Sequence, residues 1–184
     1  MKRTKIILTL LIAMAMYAQG QETEELPVFT DKTSLGIGIG LDYGGIGGNL
    51  LYYPHKNVGV FAGVGHALAG LGYNIGVKAR LLPPKPRGKV ALYLMAMYGY
   101  NAAVYVQGGT QYNKLFYGPS FALGLDYKKS PEKRGYWSMG IILPIRSSDV
   151  QDYFDDLKEN HNVEFKNGLF PIGISFGYRI VLGS

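Results

Sequence analysis

The sequence predicts an all-β protein, a closed antiparallel up-and-down β-barrel of about eight strands, and three observations favour this fold class. Short segments alternate apolar residues with glycine or polar residues at a period of two, most clearly from Ser34 to Tyr43. The face opposite the apolar one carries little bulk, as in the wall of a narrow barrel. The hydrophobic content of 47% is too low for a helical membrane protein but usual for a barrel in which alternate strand residues contact lipid. The barrel is therefore predicted to be transmembrane.

Residues 1–18 are predicted to be a signal peptide. Three basic residues within the first five positions precede an apolar run that is too short to cross a bilayer, and a small-residue cleavage site follows. Removing these three residues lowers the formal net charge from +6 to +3. Residues 19–32 are expected to form an N-terminal periplasmic segment and residues 33–184 the β-barrel domain. Because the chain has no cysteine, we expect neither an acylated anchor nor a disulfide framework.

Eight candidate strands follow, and most supply the roughly 9–11 residues that a tilted transmembrane strand needs. The uncharged segment Val90–Val106 is nearly long enough for a membrane helix, but its glycine, asparagine, β-branched and aromatic residues favour one long strand that projects beyond the membrane. In chain order the predicted strands are Thr33–Tyr43, Gly45–Tyr53, Val58–Ala67, Leu71–Leu82, Lys89–Tyr105, Leu115–Tyr127, Tyr136–Arg146 and Pro171–Leu182.

The connections fall into two groups. Pro54–Asn57, Pro83–Gly88 and Lys128–Gly135 have four to eight residues and are rich in Pro, Gly, Lys or Asn, whereas Gln107–Lys114 and Ser147–Phe170 have eight and 24. Bacterial barrels keep their periplasmic turns short and let their extracellular loops grow. Both termini are therefore predicted to be periplasmic and the longer loops extracellular.

The last loop is predicted to contain a short amphipathic helix. Ser148 begins a capping-box pattern, and Val150, Tyr153, Phe154 and Leu157 recur at helical spacing opposite an acidic face. Two interpretations remain open. The apolar stripe rests on the barrel rim, or Tyr153, Phe154 and Leu157 form a surface for an extracellular partner.

Strand parity assigns a set of polar side chains to the lumen. An eight-stranded barrel is just wide enough inside for side chains, so these groups should satisfy one another and plug the lumen. Asp42 is expected near Arg146, and Asp126 is expected with Arg80 and Arg179 in the lower half. The assigned set is Asp42, Asn49, Asn74, Lys78, Arg80, Asn101, Ser120, Asp126, Ser138, Arg146, Ser175 and Arg179.

The same parity predicts two outward belts of aromatic side chains, one at each membrane interface. Tyr and Trp favour such positions because the ring body contacts lipid while the polar tip contacts headgroups and water. The predicted interface residues are Tyr52, Tyr127, Trp137 and Tyr178 near the periplasmic ends and Tyr43, Tyr73, Tyr98 and Tyr117 near the outer ends.

Motifs for catalysis, cofactors and metals are not apparent. His55, His66 and His161 lie in separate connections and strand ends without metal-ligand spacing. The glycine-rich stretch from Gly36 to Gly48 lacks the Lys-Ser/Thr of a phosphate-binding loop. We therefore predict no catalytic, cofactor-binding or metal-binding residues, and no enzymatic activity.

The turn that contains Lys128, Lys129, Lys133 and Arg134 is basic. An exported chain with a small net charge is a poor candidate for nucleic-acid binding. Attraction to anionic lipid headgroups, or simple solvation of the turn, accounts for these cations more economically.

The last predicted strand carries the pattern Ser175-x-Gly177-x-x-Ile180-x-Leu182. With this pattern the chain resembles the small outer-membrane β-barrel proteins of Gram-negative bacteria, the OmpX/OmpA-barrel type, across nearly the whole region after the signal peptide. The resemblance implies an outer-membrane protein that is folded by the barrel-assembly machinery and has adhesion, surface-interaction or membrane-stabilising roles.

The predicted function is thus an integral outer-membrane barrel with a side-chain-plugged lumen and a structural or surface-interaction role through its longer loops. Its expected partners are outer-membrane lipids, the barrel-assembly machinery and an unidentified extracellular partner. Two alternatives remain open: a lipid-modifying enzyme of the lipid A deacylase kind, and a soluble lipocalin-like barrel that holds a ligand inside.

Overall fold

The computed structural model describes residues 31–81, 89–106, 109–130, 133–160 and 169–183. Eight antiparallel strands form a closed barrel in which each strand pairs with its neighbours in the chain and β1 pairs with β8. The strands are β1 (Thr33–Gly40), β2 (Gly45–His55), β3 (Val58–Ala67), β4 (Gly70–Arg80), β5 (Val90–Val104), β6 (Lys114–Tyr127), β7 (Gly135–Pro144) and β8 (Gly173–Gly183).

One α-helix, α1 (Ser148–Glu159), lies between β7 and β8, and two short 3-10 helices occur at Leu41–Tyr43 and Thr110–Tyr112. The predicted all-β barrel with a helix between its last two strands is therefore confirmed. The predicted signal peptide, and all but the last two residues of the segment 19–32, lie outside the described residues. No helix of the described chain is both long and apolar enough to cross a membrane.

Exposure alternates along the strands as the period of two predicts. In β4, Leu71, Tyr73 and Ile75 are more than half exposed, whereas Asn74 and Lys78 are 1% exposed. Successive side chains of a strand point to opposite faces of the sheet. In a closed barrel one face is the outer wall and the other is the lumen. Apolar side chains line the outside, whereas the inside holds the polar side chains together with a buried apolar cluster that includes Leu51, Phe61 and Ile142.

The barrel has two ends, which are named here by what they carry. The terminal end holds the first described residues, the end of β8 and the connections after β2, β4 and β6. The loop end holds the connections after β1, β3, β5 and β7. β5 and β6 are the longest strands, and their pairing continues at the loop end as far as Val104 opposite Lys114. The prediction of a long strand after Val90 is therefore confirmed.

β1 ends earlier than its pattern predicts. Instead of continuing to Tyr43 it stops at Gly40, and the 3-10 helix Leu41–Tyr43 folds into the barrel, where it contacts β1 to β5 and β8. The backbone turns at Gly40, Gly44 and Gly45, whose φ angles of 148°, 70° and 110° are readily adopted by glycine because it has no Cβ atom. We call Leu41–Tyr43 the lumen plug.

Candidate functional site

The terminal half of the lumen is crossed by an ion pair whose contacts join three strands. Lys78 Nζ of β4 donates to Asp126 Oδ1 of β6 at 2.7 Å and to Ser138 Oγ of β7 at 3.3 Å. The ammonium also lies 3.7 Å from the centre of the Tyr93 ring. Lys78 and Asp126 are 1% and 0% exposed, so each charge depends on these neighbours in place of water.

A second ion pair closes the lumen at the terminal end. Arg80 Nη2 donates to Asp31 Oδ1 at 2.6 Å, and Tyr136 Oη donates to Asp31 Oδ2 at 3.0 Å. The guanidinium of Arg80 also stacks over the Tyr53 ring at 3.9 Å. Arg80 and Asp126 both lie in the terminal half, as expected, but they do not pair with each other. Lys78 binds Asp126, and Arg80 binds Asp31, which precedes β1.

Asp31 is the lumen residue that sequence reasoning missed. Asp31 precedes the first strand, where alternation along a strand gives no information, and it belongs to the segment 19–32 that the sequence predicts to be periplasmic. One feature of the sequence points to Asp31. It is an acidic residue directly before a strand whose inward positions carry no charge. The backbone of the next residue is held by the barrel, since Lys32 N donates to Gly183 O and Tyr53 N donates to Lys32 O, each at 2.8 Å.

Arg179 and Asp42 are buried in the lumen, but neither binds the partner that was predicted for it. Arg179 donates to Asn49 Oδ1 at 2.5 Å and to Ser34 Oγ at 3.3 Å rather than to Asp126. The carboxylate of Asp42 accepts a hydrogen bond from Ser175 Oγ at 2.6 Å. Arg146, which was expected beside Asp42, is half-buried in the connection after β7.

The remaining residues assigned to the lumen by parity are buried. Two of them hold the lumen plug by its backbone: Asn74 Nδ2 donates to Leu41 O at 2.7 Å, and Asn49 Nδ2 donates to Asp42 O at 2.6 Å. The buried set comprises Asn49, Asn74, Asn101, Ser120, Ser138 and Ser175.

Glycines of β1, β3 and β8 make room for the lumen plug. A Cβ atom added at Gly177 would lie 2.3 Å from Tyr43 Oη, and one added at Gly38 would lie 2.8 Å from the Tyr43 ring. One added at Gly63 would lie 2.0 Å from Asp42 O. The bare inward face of these strands is therefore filled by a folded piece of chain. The prediction that Tyr43 belongs to an interface belt is wrong, because this side chain is 0% exposed inside the barrel.

The apolar stripe of α1 packs on the extension of β5 and β6. Phe154 and Leu157 are 6% and 1% exposed and form a buried cluster with Val104 and Phe116. Tyr153 lies beside this cluster, 5.6 Å from the Phe116 ring, and its hydroxyl donates to a main-chain carbonyl at 2.9 Å. Partial burial raises the pKa of Tyr153.

The partner surface predicted for Tyr153, Phe154 and Leu157 is therefore wrong, because these side chains pack against other residues of the same chain.

The helix begins at Ser148 with Ser147 as its N-cap residue, and Ser147 makes no side-chain cap hydrogen bond. The predicted capping box is also not formed, since the Gln151 side chain donates to Asp155.

The outer wall carries most of the predicted interface aromatics. Trp137 packs between Phe176 and Tyr178 with ring centres 5.0 Å apart in both pairs, and Tyr73 lies 5.0 Å from Tyr117. Tyr127 is half-buried. The exposed members of the predicted set are Tyr52, Tyr73, Tyr98, Tyr117, Trp137 and Tyr178.

Within the described residues no three side chains of the metal-ligating types cluster together. His55 and His66 are exposed at opposite ends of the barrel, and His161 lies outside the described residues. His66 is paired in register with Ile46 and Leu71, neither of which is a nucleophile. The polar site of this molecule is thus the lumen network.

No protein-family model matches the chain, and no curated protein matches its sequence. Among solved structures, it is similar to the crystal structure of the N-terminal β-barrel domain of Pseudomonas aeruginosa OprF. The match has a TM-score of 0.43 and 12% sequence identity, and it covers 82% of this chain and 98% of that chain.

Proposed function

We propose that this protein is an integral outer-membrane β-barrel with a closed lumen and a structural or surface-interaction role. The observation that carries the proposal is the inverted distribution of polarity. Among the described residues, 35 large apolar side chains are at least 37% exposed, and they cover every strand of the outer wall. A water-soluble monomer rarely exposes a contiguous apolar patch of more than a few hundred Å².

The height of the apolar band fits a membrane. From Leu71 of β4 to Leu81, the residue that follows β4, the outward positions span ten residue steps, which is about 33 Å at roughly 3.3 Å per residue. A strand tilt of about 40° reduces this to about 25 Å, the height of the apolar band of outer-membrane barrels. Lipid tails are thus a suitable cover for this surface.

The interior argues against the lipocalin-like alternative. A soluble carrier of apolar ligands needs an apolar cavity, whereas this lumen holds buried charges that pair with one another or with neutral polar groups. The buried charged residues of the described chain are Asp31, Asp42, Asp126, Lys78, Arg80 and Arg179, three of each sign. The network and the lumen plug together support a closed barrel rather than an open pore.

A surface-interaction role rests on the exposed face of α1. Its apolar stripe is buried, so the acidic side chains are what α1 presents at the loop end. Asp149, Asp152, Asp156 and Glu159 are exposed there. The presented surface is therefore polar and acidic.

A single outward charge tests membrane insertion directly. Ile37 is 70% exposed on β1, so in a soluble protein Ile37→Arg would cost nothing measurable. In a membrane the same change should destabilise the barrel by about 2–4 kcal/mol. The measurement is urea unfolding of the refolded protein in lipid vesicles, with Gln151→Arg on the exposed side of α1 as the matched control.

Cell fractionation provides the second test. We expect the full chain, expressed in a Gram-negative host, to sediment with outer membranes and to shift in mobility when heated in detergent. Recovery of folded protein in the soluble periplasm would contradict the proposal and favour the soluble carrier. Unchanged lipid A acylation with and without the protein would support a non-enzymatic role.

A further inference from the structure

The terminal end of the barrel carries exposed cations around its rim. Lys32 precedes β1, Lys89 precedes β5, and Lys129, Lys133 and Arg134 lie in the connection between β6 and β7. All five are exposed, and they are named here the basic collar. They come from three separate segments, the residues before β1 and the connections before β5 and β7, so the positive charge is distributed over the rim and not confined to one turn.

The backbone of the collar is held by hydrogen bonds to the barrel. Lys32 N donates to Gly183 O at 2.8 Å, and Lys89 O accepts from Lys128 N at 2.8 Å. Arg134 O accepts from Val181 N at 2.7 Å. These cations therefore project from defined points of the rim.

Among the described residues, the acids of this end do not neutralise the collar. Asp31 and Asp126 are 5% and 0% exposed and are engaged inside the lumen by Arg80 and Lys78. In the sequence, the segment 128–134 has four basic residues and one acid. The exposed acids of α1 lie at the opposite end, so the charge of the described chain is segregated along the barrel axis.

The collar lies at the level of lipid headgroups. Lys89 directly precedes Val90, which pairs with Tyr127, and Arg134 lies three residues before the exposed Trp137. At roughly 3.3 Å per residue, the backbone positions of Lys89 and Arg134 lie within about 10 Å of those of the aromatic residues. The headgroup layer extends about 5–7 Å beyond the hydrocarbon on each side. A lysine or arginine side chain bridges the remaining distance.

We propose that the basic collar binds the phosphates of anionic glycerophospholipids in the leaflet around the terminal end. The proposal rests on the proposed function, because it requires an inserted barrel. Each basic residue near an anionic lipid surface contributes about 1 kcal/mol, which is about a fivefold preference. The interaction weakens with added salt, since these charges are exposed to solvent.

The test compares two triple variants that lose the same charge. One is Lys129→Gln/Lys133→Gln/Arg134→Gln in the collar, and the control is Lys114→Gln/Arg146→Gln/Lys158→Gln at the loop end. The full chain and both variants are refolded into phosphatidylcholine vesicles with and without phosphatidylglycerol. The heat-induced mobility shift reports insertion, and native mass spectrometry of the extracted protein counts the phosphatidylglycerol retained.

We expect the unmodified chain and the loop-end control to retain phosphatidylglycerol in preference to phosphatidylcholine. In the collar variant the ratio of retained phosphatidylglycerol to phosphatidylcholine should be at least tenfold lower. Equal retention by both inserted variants would overturn the collar proposal and leave the membrane barrel standing. If the unmodified chain fails to insert into either kind of vesicle, both proposals fall.

Discussion

The two halves of the lumen are closed by different means. In the terminal half, charged side chains reach across the barrel, with Lys78 bound to Asp126 and Arg80 bound to Asp31. In the loop-end half, a piece of the main chain enters the barrel as the lumen plug and is held by side-chain amides. The comparison teaches that the lumen of a barrel of a given width can be filled either by long side chains or by a segment of main chain. The second solution requires a wall that is rich in glycine.

The largest expected effect is the loss of one charge from the terminal half. Asp126→Asn leaves the ammonium of Lys78 buried without its counter-ion, which should destabilise the barrel by about 3–5 kcal/mol. The measurement is the free energy of unfolding from urea titration in lipid vesicles. Asp152→Asn on the exposed side of α1 is the matched control and should lie within about 0.5 kcal/mol of the unmodified chain. Equal stability of the two variants would contradict a charge-based closure of this half.

The next effect is steric and belongs to the loop-end half. Gly177→Ala adds a methyl group where Tyr43 Oη already lies, and we expect a loss of about 1–3 kcal/mol. Tyr43→Leu in the same chain should relieve part of this loss, which a double-mutant cycle measures. Gly173→Ala is the control on the same strand, because its nearest neighbour would lie at 3.7 Å. An additive cycle would mean that the lumen plug does not occupy this space.

A comparable or smaller effect should follow from the removal of one amide that holds the lumen plug. Asn74→Ala removes the hydrogen bonds to Leu41 O and Tyr100 O, and leaving these carbonyls unsatisfied costs about 1–3 kcal/mol. Planar-bilayer conductance of this variant should stay at the baseline, because the ion pairs of the terminal half still close the lumen. Asn160→Ala at the exposed end of α1 is the control for stability. A conducting Asn74→Ala variant would show that the loop-end half alone seals the barrel.

The smallest effect should follow from replacement of both members of the ion pair between Lys78 and Asp126. Lys78→Met/Asp126→Leu removes both buried charges together, and such exchanges are often neutral or stabilising. We expect the double variant to be at least as stable as the unmodified chain within about 1 kcal/mol, again by urea titration. If the double variant is as unstable as Asp126→Asn, then the contacts of Lys78 with Ser138 and Tyr93 stabilise the barrel in addition to the balance of charge.

Strand number, order and facing were predictable because they depend on local geometry. The period of two places Lys78 and Arg80 on the same face without any knowledge of their partners. The same argument failed at Tyr43, because parity assumes that the strand continues and Gly40 ends it. It also could not reach Asp31, which precedes the first strand, and it left open whether the stripe of α1 meets the rim or a partner.

The sequence by itself determined the barrel and which strand residues face outward and which face the lumen, since alternation along an extended chain is a property of neighbouring residues. Only the tertiary structure decided which charges pair and what fills the glycine-lined half. Those contacts join residues that are far apart in the chain, and their heights depend on the register by which all eight strands close. Lys78 therefore meets Asp126, Arg80 meets Asp31, and the lumen plug enters the space that the glycines leave.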